Sequence, residues 1–248
     1  MMFYLICGGF LFLLILFMLI EGKRNRINIS KLTFKTLPKS FDGYRLFFIS
    51  DIHRRVIPSR LLKKVRKKVD LVIIGGDLCE KGVPLERIEK NIEHLTSLAP
   101  CLFVWGNNDA EVGEENIKKI LKKYGVRELS NSTTYIKSEQ DQVAVVGVDD
   151  LESDYIASSP PHNIFTILVC HFPEVVDHLP DCHPFSIILS GHTHGGQIRL
   201  FGLGIAKKGQ FIHRPSYIQL ISNGYGTTGI PMRLGAPSET HIIHIKRK

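Results

Sequence analysis

The stretch Leu46-Phe47-Phe48-Ile49-Ser50-Asp51-Ile52-His53 joins four apolar residues to an aspartate and a histidine two residues apart. A short apolar run bounded by polar residues is typical of a strand buried on both faces of a parallel or mixed sheet. Asp51 and His53 would then lie just past the carboxyl end of the strand, where open α/β sheets bind their ligands. Carboxylate oxygens and imidazole nitrogens are both metal ligands. The stretch therefore predicts a metal site at the edge of a sheet.

Four further polar motifs follow apolar runs in the same way. The runs are Leu71 to Ile74, Leu102 to Trp105, Ile164 to Val169 and Phe185 to Leu189. The motifs that follow them are Gly75-Gly76-Asp77, Gly106-Asn107-Asn108-Asp109, Cys170-His171 and Gly191-His192-Thr193-His194. Any one motif alone is weak evidence, because Gly-Asp often marks a turn and a lone histidine is commonly a hydrogen-bonded core residue. Five of them, each at a predicted strand end, indicate one convergent site and a metal-dependent enzyme.

The composition is that of a globular protein, with 44% hydrophobic and 23% charged residues. The formal net charge of +8 and the pI of about 9.2 favour an anionic partner such as a phosphate, a nucleic acid or an anionic lipid. The basic run from Arg54 to Lys68 has no interleaved aromatic residues, so we expect no sequence-specific nucleic acid as a partner. The run is either a solvated helix face or a surface attracted to anionic lipid. No feature of the sequence predicts an oligomeric state.

The N-terminus reads as a membrane anchor. Residues 3–20 carry no charge and would form a helix of about 27 Å, close to a hydrocarbon core of about 30 Å. A cleaved signal peptide would have a basic start and small residues at the cleavage site, whereas Glu21-Gly22-Lys23-Arg24 follows here. We expect an uncleaved transmembrane anchor over 1–22, a basic juxtamembrane segment with an edge strand over 23–42, and the main domain over 43–248. A buried N-terminal helix is the alternative.

Basic residues flank this apolar stretch on one side only. They are Lys23, Arg24, Arg26, Lys31, Lys35 and Lys39, whereas only the α-amine precedes the stretch. The positive-inside rule places such a flank in the cytoplasm. The protein is therefore expected to be a single-pass protein of the cell membrane, with its main domain on the cytoplasmic side.

The remaining periodicities divide the chain into an α/β half and a mostly β half. Apolar residues on one helical face predict helices that alternate with strands in βαβ units, and these helices span about 58–69, 84–98 and 117–124. Further strands are predicted at 143–148, 197–200, 217–222 and 241–245, with an edge strand in 27–37 and a long loop over 202–214. Ser130-Asn131-Ser132, between short strands at 126–129 and 133–137, predicts a hairpin.

The order Asp-x-His, Gly-Gly-Asp, Gly-Asn-x-Asp, His and Gly-His-Thr-His resembles the calcineurin-like metallophosphoesterase superfamily over roughly residues 43–245. Gly191 to Gln197 and Asn223 to Pro237 are similar to its branch of small bacterial membrane-associated phosphoesterases. The resemblance implies an α/β fold, a metallophosphoesterase-like β-sandwich of mixed sheets flanked by helices, here with an N-terminal transmembrane helix.

The resemblance also implies two divalent metal ions per chain. The implied ligands come from all five motifs: Asp51, His53 and His194 for the first ion, Asn107, His171 and His192 for the second, and Asp77 bridging both. Carboxylate, amide and imidazole groups suit Mn²⁺, Fe or Zn²⁺, and one carboxylate can bridge cations about 3.5–4 Å apart.

One position departs from the family. Gly-Asn-His-Asp is usual there, but Asn108 stands where a histidine is taken to protonate the leaving oxygen or to stabilise charge on it. Asn108 can donate a hydrogen bond but cannot give up a proton at neutral pH, and Asp109 remains to orient groups nearby. These two are the candidate catalytic residues. Arg54 and Arg55 either clamp substrate phosphate or form a surface pair, and Arg233 is a candidate for lining the pocket.

The leading interpretation is a membrane-anchored binuclear metal-dependent phosphoesterase that hydrolyses phosphodiester or pyrophosphate bonds with metal-activated water. Its partners would be a phosphate-ester or pyrophosphate substrate and the lipid bilayer. The substrate could be a nucleotide, another phosphodiester or a lipid-linked pyrophosphate. The alternative, favoured by Asn108, is a catalytically weakened metal- or phosphate-binding module at the membrane.

The orientation of the anchor is testable with protease. We expect the main domain to be protected in intact cells and digested after lysis, because the basic flank stays in the cytoplasm. An epitope at the C-terminus would report the fate of the domain, and a soluble cytoplasmic protein would control for leakage. Digestion in intact cells would contradict this orientation.

Overall fold

The structure is a computed structural model that describes residues 1–151, 154–156 and 162–248. The helices are α1 (Met2–Gly22), α2 (Ser59–Val65), α3 (Leu85–Thr96) and α4 (Glu114–Lys123). The strands are β1 (Arg26–Phe34), β2 (Arg45–Ile49), β3 (Leu71–Gly75), β4 (Cys101–Val104), β5 (Arg127–Glu128), β6 (Ser132–Ser138), β7 (Asp141–Val148), β8 (Thr166–Cys170), β9 (Phe185–Ser190), β10 (Gln210–His213), β11 (Ile218–Ile221) and β12 (Glu239–Arg247).

These strands form two six-stranded mixed sheets. The first has the order β1-β12-β2-β3-β4-β5, and the second has the order β10-β11-β9-β8-β7-β6. The neighbours β2 to β5 run parallel, as do β7, β8, β9 and β11. Because parallel strands end at the same edge, the five polar motifs all lie at one end of the two sheets. The predicted sandwich of mixed sheets flanked by helices is confirmed.

Strand β2 shows how the core is divided. Its successive side chains point to opposite faces. Leu46 and Phe48 lie between the sheets, with Val145 of β7 and Ile167 of β8 in the same cluster. Phe47 and Ile49 point to the opposite face, where they pack against helices α2, α3 and α4. Burial on both faces explains why the strand is an uninterrupted apolar run.

Helix α1 contacts the rest of the protein through its last turn. The Arg233 backbone N–H donates to the Met18 carbonyl at 3.0 Å. Glu21 is buried and pairs with Arg24 at 2.7 Å and with Arg26 at 3.1 Å. Most side chains before Met18 are exposed. By length and composition, α1 is the one helix in the described ranges that could cross a membrane.

The expected hairpin around Ser130-Asn131-Ser132 is wrong. Strand β5 pairs with β4 in the first sheet, whereas β6 pairs with β7 in the second. The chain therefore crosses between the sheets at this point, and the observed hairpin joins β6 to β7. Turn residues predict a change of direction, but they do not identify the strand with which the next segment pairs.

Two expectations for the C-terminal half are also wrong. Residues 197–200 form no regular strand: Ile198 makes isolated bridges with Leu234 and Gly235, outside both sheets. The long loop expected over 202–214 contains β10, which pairs with β11 at the edge of the second sheet. An edge strand with an exposed face lacks the continuous apolar run of a buried one, so its sequence signal is weak.

Candidate metal centre

The turns after β2, β3 and β9 hold non-glycine residues in the left-handed region of backbone conformation. These residues have positive φ angles: Asp51 (53°), His53 (51°), Asp77 (51°), His192 (69°) and His194 (48°). Non-glycine residues rarely adopt this conformation, and such outliers cluster at functional sites, where surrounding contacts hold them. Five of the seven expected metal ligands are therefore presented on strained turns.

Two glycines let separate loops close over Asp51. A Cβ atom at Gly191 would lie 2.5 Å from Asp51 Oδ2, and one at Gly224 would lie 2.6 Å from Asp51 Cβ. Both distances are too short for a side chain. The loop after β9 and the segment after β11 therefore pack directly on this carboxylate.

Asp51, His53 and His194 form the first cluster. Their ligand atoms lie within 4.8 Å of one another, and all three side chains are buried. His53 Nε2 lies 3.0 Å from His194 Nε2, which in turn lies 3.4 Å from Asp51 Oδ1. Asp51 Oδ2 is buried and has no hydrogen-bond partner among the described residues. An unpaired buried carboxylate oxygen beside two imidazole nitrogens fits a divalent cation.

Asp77 joins this cluster to a second one. Its Oδ2 atom lies 3.5 Å from His53 Nε2 and 3.3 Å from His171 Nε2. Asp51, Asp77 and His171 have ligand atoms within 4.8 Å of one another. Asp77 is therefore placed between two groups of ligands, as a bridging carboxylate would be.

His192 and Asn107 lie on the solvent side of the centre. Both are exposed, and His192 Nδ1 lies 2.9 Å from Asn107 Oδ1. The His192 backbone N–H donates to Asp51 Oδ1 at 3.0 Å, which ties this side of the centre to the first cluster. His192 also lines a cleft of about 680 Å³, whose other walls include Glu174 and Lys207. The centre is therefore reached from this side.

Burial and charge oppose each other at the buried ligands. Burial acts to raise the pKa of Asp77, but the hydrogen bond and charge of His171, with the charge of His53, hold that pKa well below its usual range. Burial acts to lower the pKa of His171, but Asp77 raises it to about 9. Burial lowers the pKa of His194 to about 4. At neutral pH Asp77 is thus anionic and His194 neutral, the forms that bind cations, whereas His171 would have to release a proton to bind one.

Two buried imidazoles are oriented through their Nδ1 atoms. His53 Nδ1 lies 2.9 Å from Glu80 Oε2, at ion-pair distance but without the geometry of a hydrogen bond, and Glu80 also pairs with Arg54. His171 Nδ1 lies 2.9 Å from the Gly75 carbonyl oxygen. Both rings therefore turn Nε2 towards the centre, as metal-binding histidines do when a second group fixes the ring. Sequence reasoning missed Glu80, for which an acidic residue in the loop after Gly-Gly-Asp is the only signal.

Arg233 is completely buried behind His194 and does not line the cleft. Its guanidinium donates to the carbonyl oxygens of His194 (3.0 Å), Ala236 (2.9 Å) and Asn223 (2.6 Å), and to that of Gly226. Its Nη2 atom lies 3.2 Å from His194 Nδ1. Burial lowers the pKa of Arg233 to about 10, so it stays charged at neutral pH. Arg233 therefore supports His194 and does not line the pocket, contrary to the expectation from sequence.

Arg54 and Arg55 have different surroundings. The exposed Arg54 pairs with Glu80, beside the centre. The Arg55 guanidinium stacks on the Tyr225 ring, 3.7 Å from its centroid, and donates to the Lys23 carbonyl at 2.9 Å. Arg55 therefore holds the segment after α1, and Arg54 is the one of the two with a surface available for phosphate.

Asn108 and Asp109 both contact the turn of Asp77. The backbone N–H and side-chain Nδ2 of Asn108 donate to Asp77 at 2.9 and 2.7 Å. Asp109 is completely buried and accepts hydrogen bonds from the backbone N–H groups of Asp77 (2.9 Å), Cys79 (3.1 Å) and Gly106 (2.8 Å). Burial, and then the charge of Asp77, raises the pKa of Asp109 to about 7. Both residues therefore orient Asp77.

The sequence model of the calcineurin-like phosphoesterase family matches residues 44–196, which contain all five motifs. The chain belongs to this family. In this calcineurin-like phosphoesterase the matched region begins at β2 and ends with the turn of His194, so it contains every side chain of the two clusters.

Three relatives extend the comparison. The chain is 45% identical over 205 residues to protein YpbG of Bacillus subtilis (strain 168), covering 80% of this chain and 79% of YpbG. It is 29% identical over 170 residues to phosphodiesterase YaeI of Escherichia coli (strain K12), covering 63% of each. It is 30% identical over 248 residues to a transmembrane protein with metallophosphoesterase domain of Danio rerio, covering 85% of this chain and 55% of that protein. The chain thus spans less than two thirds of the last two relatives.

Loss of the buried Arg233 guanidinium should destabilise the protein. We expect Arg233→Met to lower the free energy of unfolding by about 3–5 kcal/mol, because carbonyl oxygens are left buried without donors. Denaturant unfolding of the full chain in one detergent measures the change. Arg214→Met, at an exposed arginine between β10 and β11, should stay within about 0.5 kcal/mol of the parent. Equal effects of the two substitutions would contradict the assigned role.

Proposed function

We propose that the protein is a membrane-anchored binuclear metal-dependent phosphoesterase that hydrolyses phosphodiester or pyrophosphate bonds. The observation that carries the proposal is the pair of buried ligand clusters sharing Asp51, in a chain of the calcineurin-like phosphoesterase family. The name of its relative YaeI, a phosphodiesterase, supports the diester class of substrate.

Two divalent ions, Mn²⁺, Fe or Zn²⁺, would be held by the seven expected ligands. The assignment is Asp51, His53 and His194 for one ion, Asn107, His171 and His192 for the other, and Asp77 shared. When bound, these ions would supply positive charge to the phosphoryl oxygens and lower the pKa of the attacking water. The donor set suits this class of ion because it combines carboxylate, amide and imidazole groups and has no thiolate.

The chain's own residues would orient the reactants. Arg54, exposed beside the centre, is proposed to bind a substrate phosphate oxygen. Asn108 directs its side-chain donor to Asp77 and holds no proton that it could transfer to a leaving oxygen. The site is therefore best suited to leaving groups that depart without protonation.

The membrane part of the proposal depends on α1 and the basic surface beside it. A cavity of about 410 Å³ lies at the end of α1, lined by Ile20, Lys23, Arg24, Asn25, Arg60 and Lys64. We propose residues 1–22 as the anchor, 23–42 as the basic segment with its edge strand, and 43–248 as the catalytic domain on the cytoplasmic side. The cationic side chains beside the end of α1 would face anionic lipid headgroups. Each would contribute about 1 kcal/mol to the free energy of binding to such a surface.

A catalytically weakened binding module is the second candidate, and Asn108 is the observation that favours it. General acid catalysis contributes a factor of about 10²–10⁴, so its loss would slow hydrolysis of poor substrates severely. Turnover of an aryl phosphodiester with added Mn²⁺ separates the two candidates. Measurable turnover favours the enzyme, whereas bound metal without turnover favours the module.

Removal of the charge of Asp77, the expected bridging carboxylate, should abolish metal binding. We expect Asp77→Asn to lose both bound metal and turnover, because a neutral amide cannot bridge two cations. Elemental analysis of the purified protein and an aryl phosphodiester assay measure the two effects. Asp181→Asn makes the same chemical change at an exposed site and should alter neither. Two metals retained by Asp77→Asn, with a normal rate, would contradict the proposal.

Restoring an acid at position 108 should change the preference for leaving groups. We expect Asn108→His to raise kcat/KM for alkyl phosphate esters by up to about 10²-fold and to change aryl esters little, because only alkoxides need protonation to depart. The measurement is kcat/KM for a series of esters of rising leaving-group pKa, in both proteins.

The slope of that series decides between the possible outcomes. A steep fall with leaving-group pKa in the parent, flattened in Asn108→His, agrees with the missing acid. Equal slopes in two active proteins would mean that another group already supplies the proton. No activity in either protein would favour the binding module.

A further inference from the structure

The loop between the turn of His194 and β10 exposes large apolar side chains. Leu200, Phe201, Leu203 and Ile205 are all exposed, Phe201 completely and Ile205 to 96%. We call residues 200–205 the apolar loop. Scattered exposed apolar residues are ordinary, but several within one short loop indicate an interaction surface.

The apolar loop has a defined conformation. Leu200 and Leu203 exchange backbone hydrogen bonds of 3.0 and 2.8 Å around a two-residue turn, in which Phe201 and Gly202 have φ angles of 51° and 83°. Positive φ at both positions is typical of a type I′ turn. The Arg199 guanidinium donates to the Gly202 carbonyl at 2.7 Å, beneath the turn. Phe201 therefore lies at the tip of a hydrogen-bonded hairpin.

The base of the loop belongs to the rim of the metal cleft. Ile205 and Lys207 line this cleft together with His192. Lys207 pairs with Glu174 across the cleft at 3.7 Å. A contact that fixes the position of the apolar loop therefore also fixes the position of the mouth of the cleft.

One segment of chain, 228–234, contacts both the end of α1 and Gln197, three residues before the apolar loop. On one side, the Gln197 side chain donates to the Ile230 carbonyl at 2.9 Å. On the other side, a Cβ atom at Gly22 would lie 2.9 Å from the Pro231 carbonyl oxygen. Ile230 is itself exposed. The exposed Ile230 therefore lies between the end of α1 and the residues that lead into the apolar loop.

We propose that the apolar loop inserts into the interfacial region of the bilayer that holds α1, and so keeps the mouth of the metal cleft at the membrane surface. Its occupant is lipid, because the loop follows a turn that segment 228–234 joins to the end of the apolar helix α1. The exposed Lys207 and Lys208 follow the tip, where they would meet anionic headgroups. The proposal rests on the proposed anchoring of α1 and goes beyond it, because there only α1 and the basic residues beside it contact lipid.

The test is fluorescence of Phe201→Trp in the full chain, reconstituted as single copies in nanodiscs with quencher-labelled lipids. The one natural tryptophan, Trp105, is mostly buried, and its signal is subtracted with the parent protein. We expect a blue shift and loss of emission, with shallow quenchers stronger than deep ones, because interfacial segments lie about 5–10 Å into the headgroup and acyl boundary. Tyr135→Trp, at an exposed site on β6, should be unquenched.

Emission from Phe201→Trp that is unquenched and resembles that of Tyr135→Trp would overturn the proposal. A blue shift that lipid quenchers leave unchanged, and that grows with the number of copies per disc, would overturn it in favour of contact between copies. Leu203→Trp gives the same readout if Phe201→Trp does not fold. Recovery of the parent protein in the nanodisc fraction reports the anchoring of α1, and the measurement requires no turnover. Failure of the loop to insert is therefore distinguishable from failure of the proposed anchor and of the proposed enzyme activity.

Discussion

Two buried carboxylates at the ends of adjacent parallel strands impose the constraint on which this structure depends. Asp51 and Asp77 are almost completely removed from solvent, and their ligand atoms lie within 4.8 Å of each other and of His171. A buried charge costs several kcal/mol unless opposite charge and hydrogen bonds compensate for it. Imidazoles supply part of this compensation, and divalent cations would supply the rest. The left-handed turns and the side-chain-free contacts at Gly191 and Gly224 follow from packing these groups so closely.

The buried Arg233 extends this constraint to the far end of the chain. Its guanidinium contacts His194, while its backbone N–H donates to Met18 in the last turn of α1. Arg55, two residues beyond His53, likewise holds the Lys23 carbonyl. The metal centre and the base of the apolar helix therefore share their supporting residues. If α1 is fixed in a bilayer, a domain held in this way would have little freedom to turn relative to it. The direction in which the cleft opens would then be fixed relative to the membrane.

Much of the fold was predictable because the signals are local. Each buried parallel strand is a short apolar run, and each polar motif follows such a run directly, so strand positions and the convergence of Asp51 and Asp77 follow from sequence. The predictions for 126–137 and 197–200 fail because pairing is a long-range choice. Strand β5 is two residues long and joins β4, whereas β6 joins β7 across the sandwich. Neither partner is encoded in the turn between them.

The sequence by itself determined the family, the order along the chain of the strands that carry the motifs, and the types of ligand at their ends. Each of these depends on residues adjacent in the chain. Only the tertiary structure decided that Arg233 supports His194 instead of lining the cleft, and that Glu80 lies beside the His53 ring. It alone placed the base of the apolar loop at the rim of the cleft. These relations join segments far apart in sequence, and burial and hydrogen-bond partners are properties of the packed chain, which no local pattern of residue types specifies.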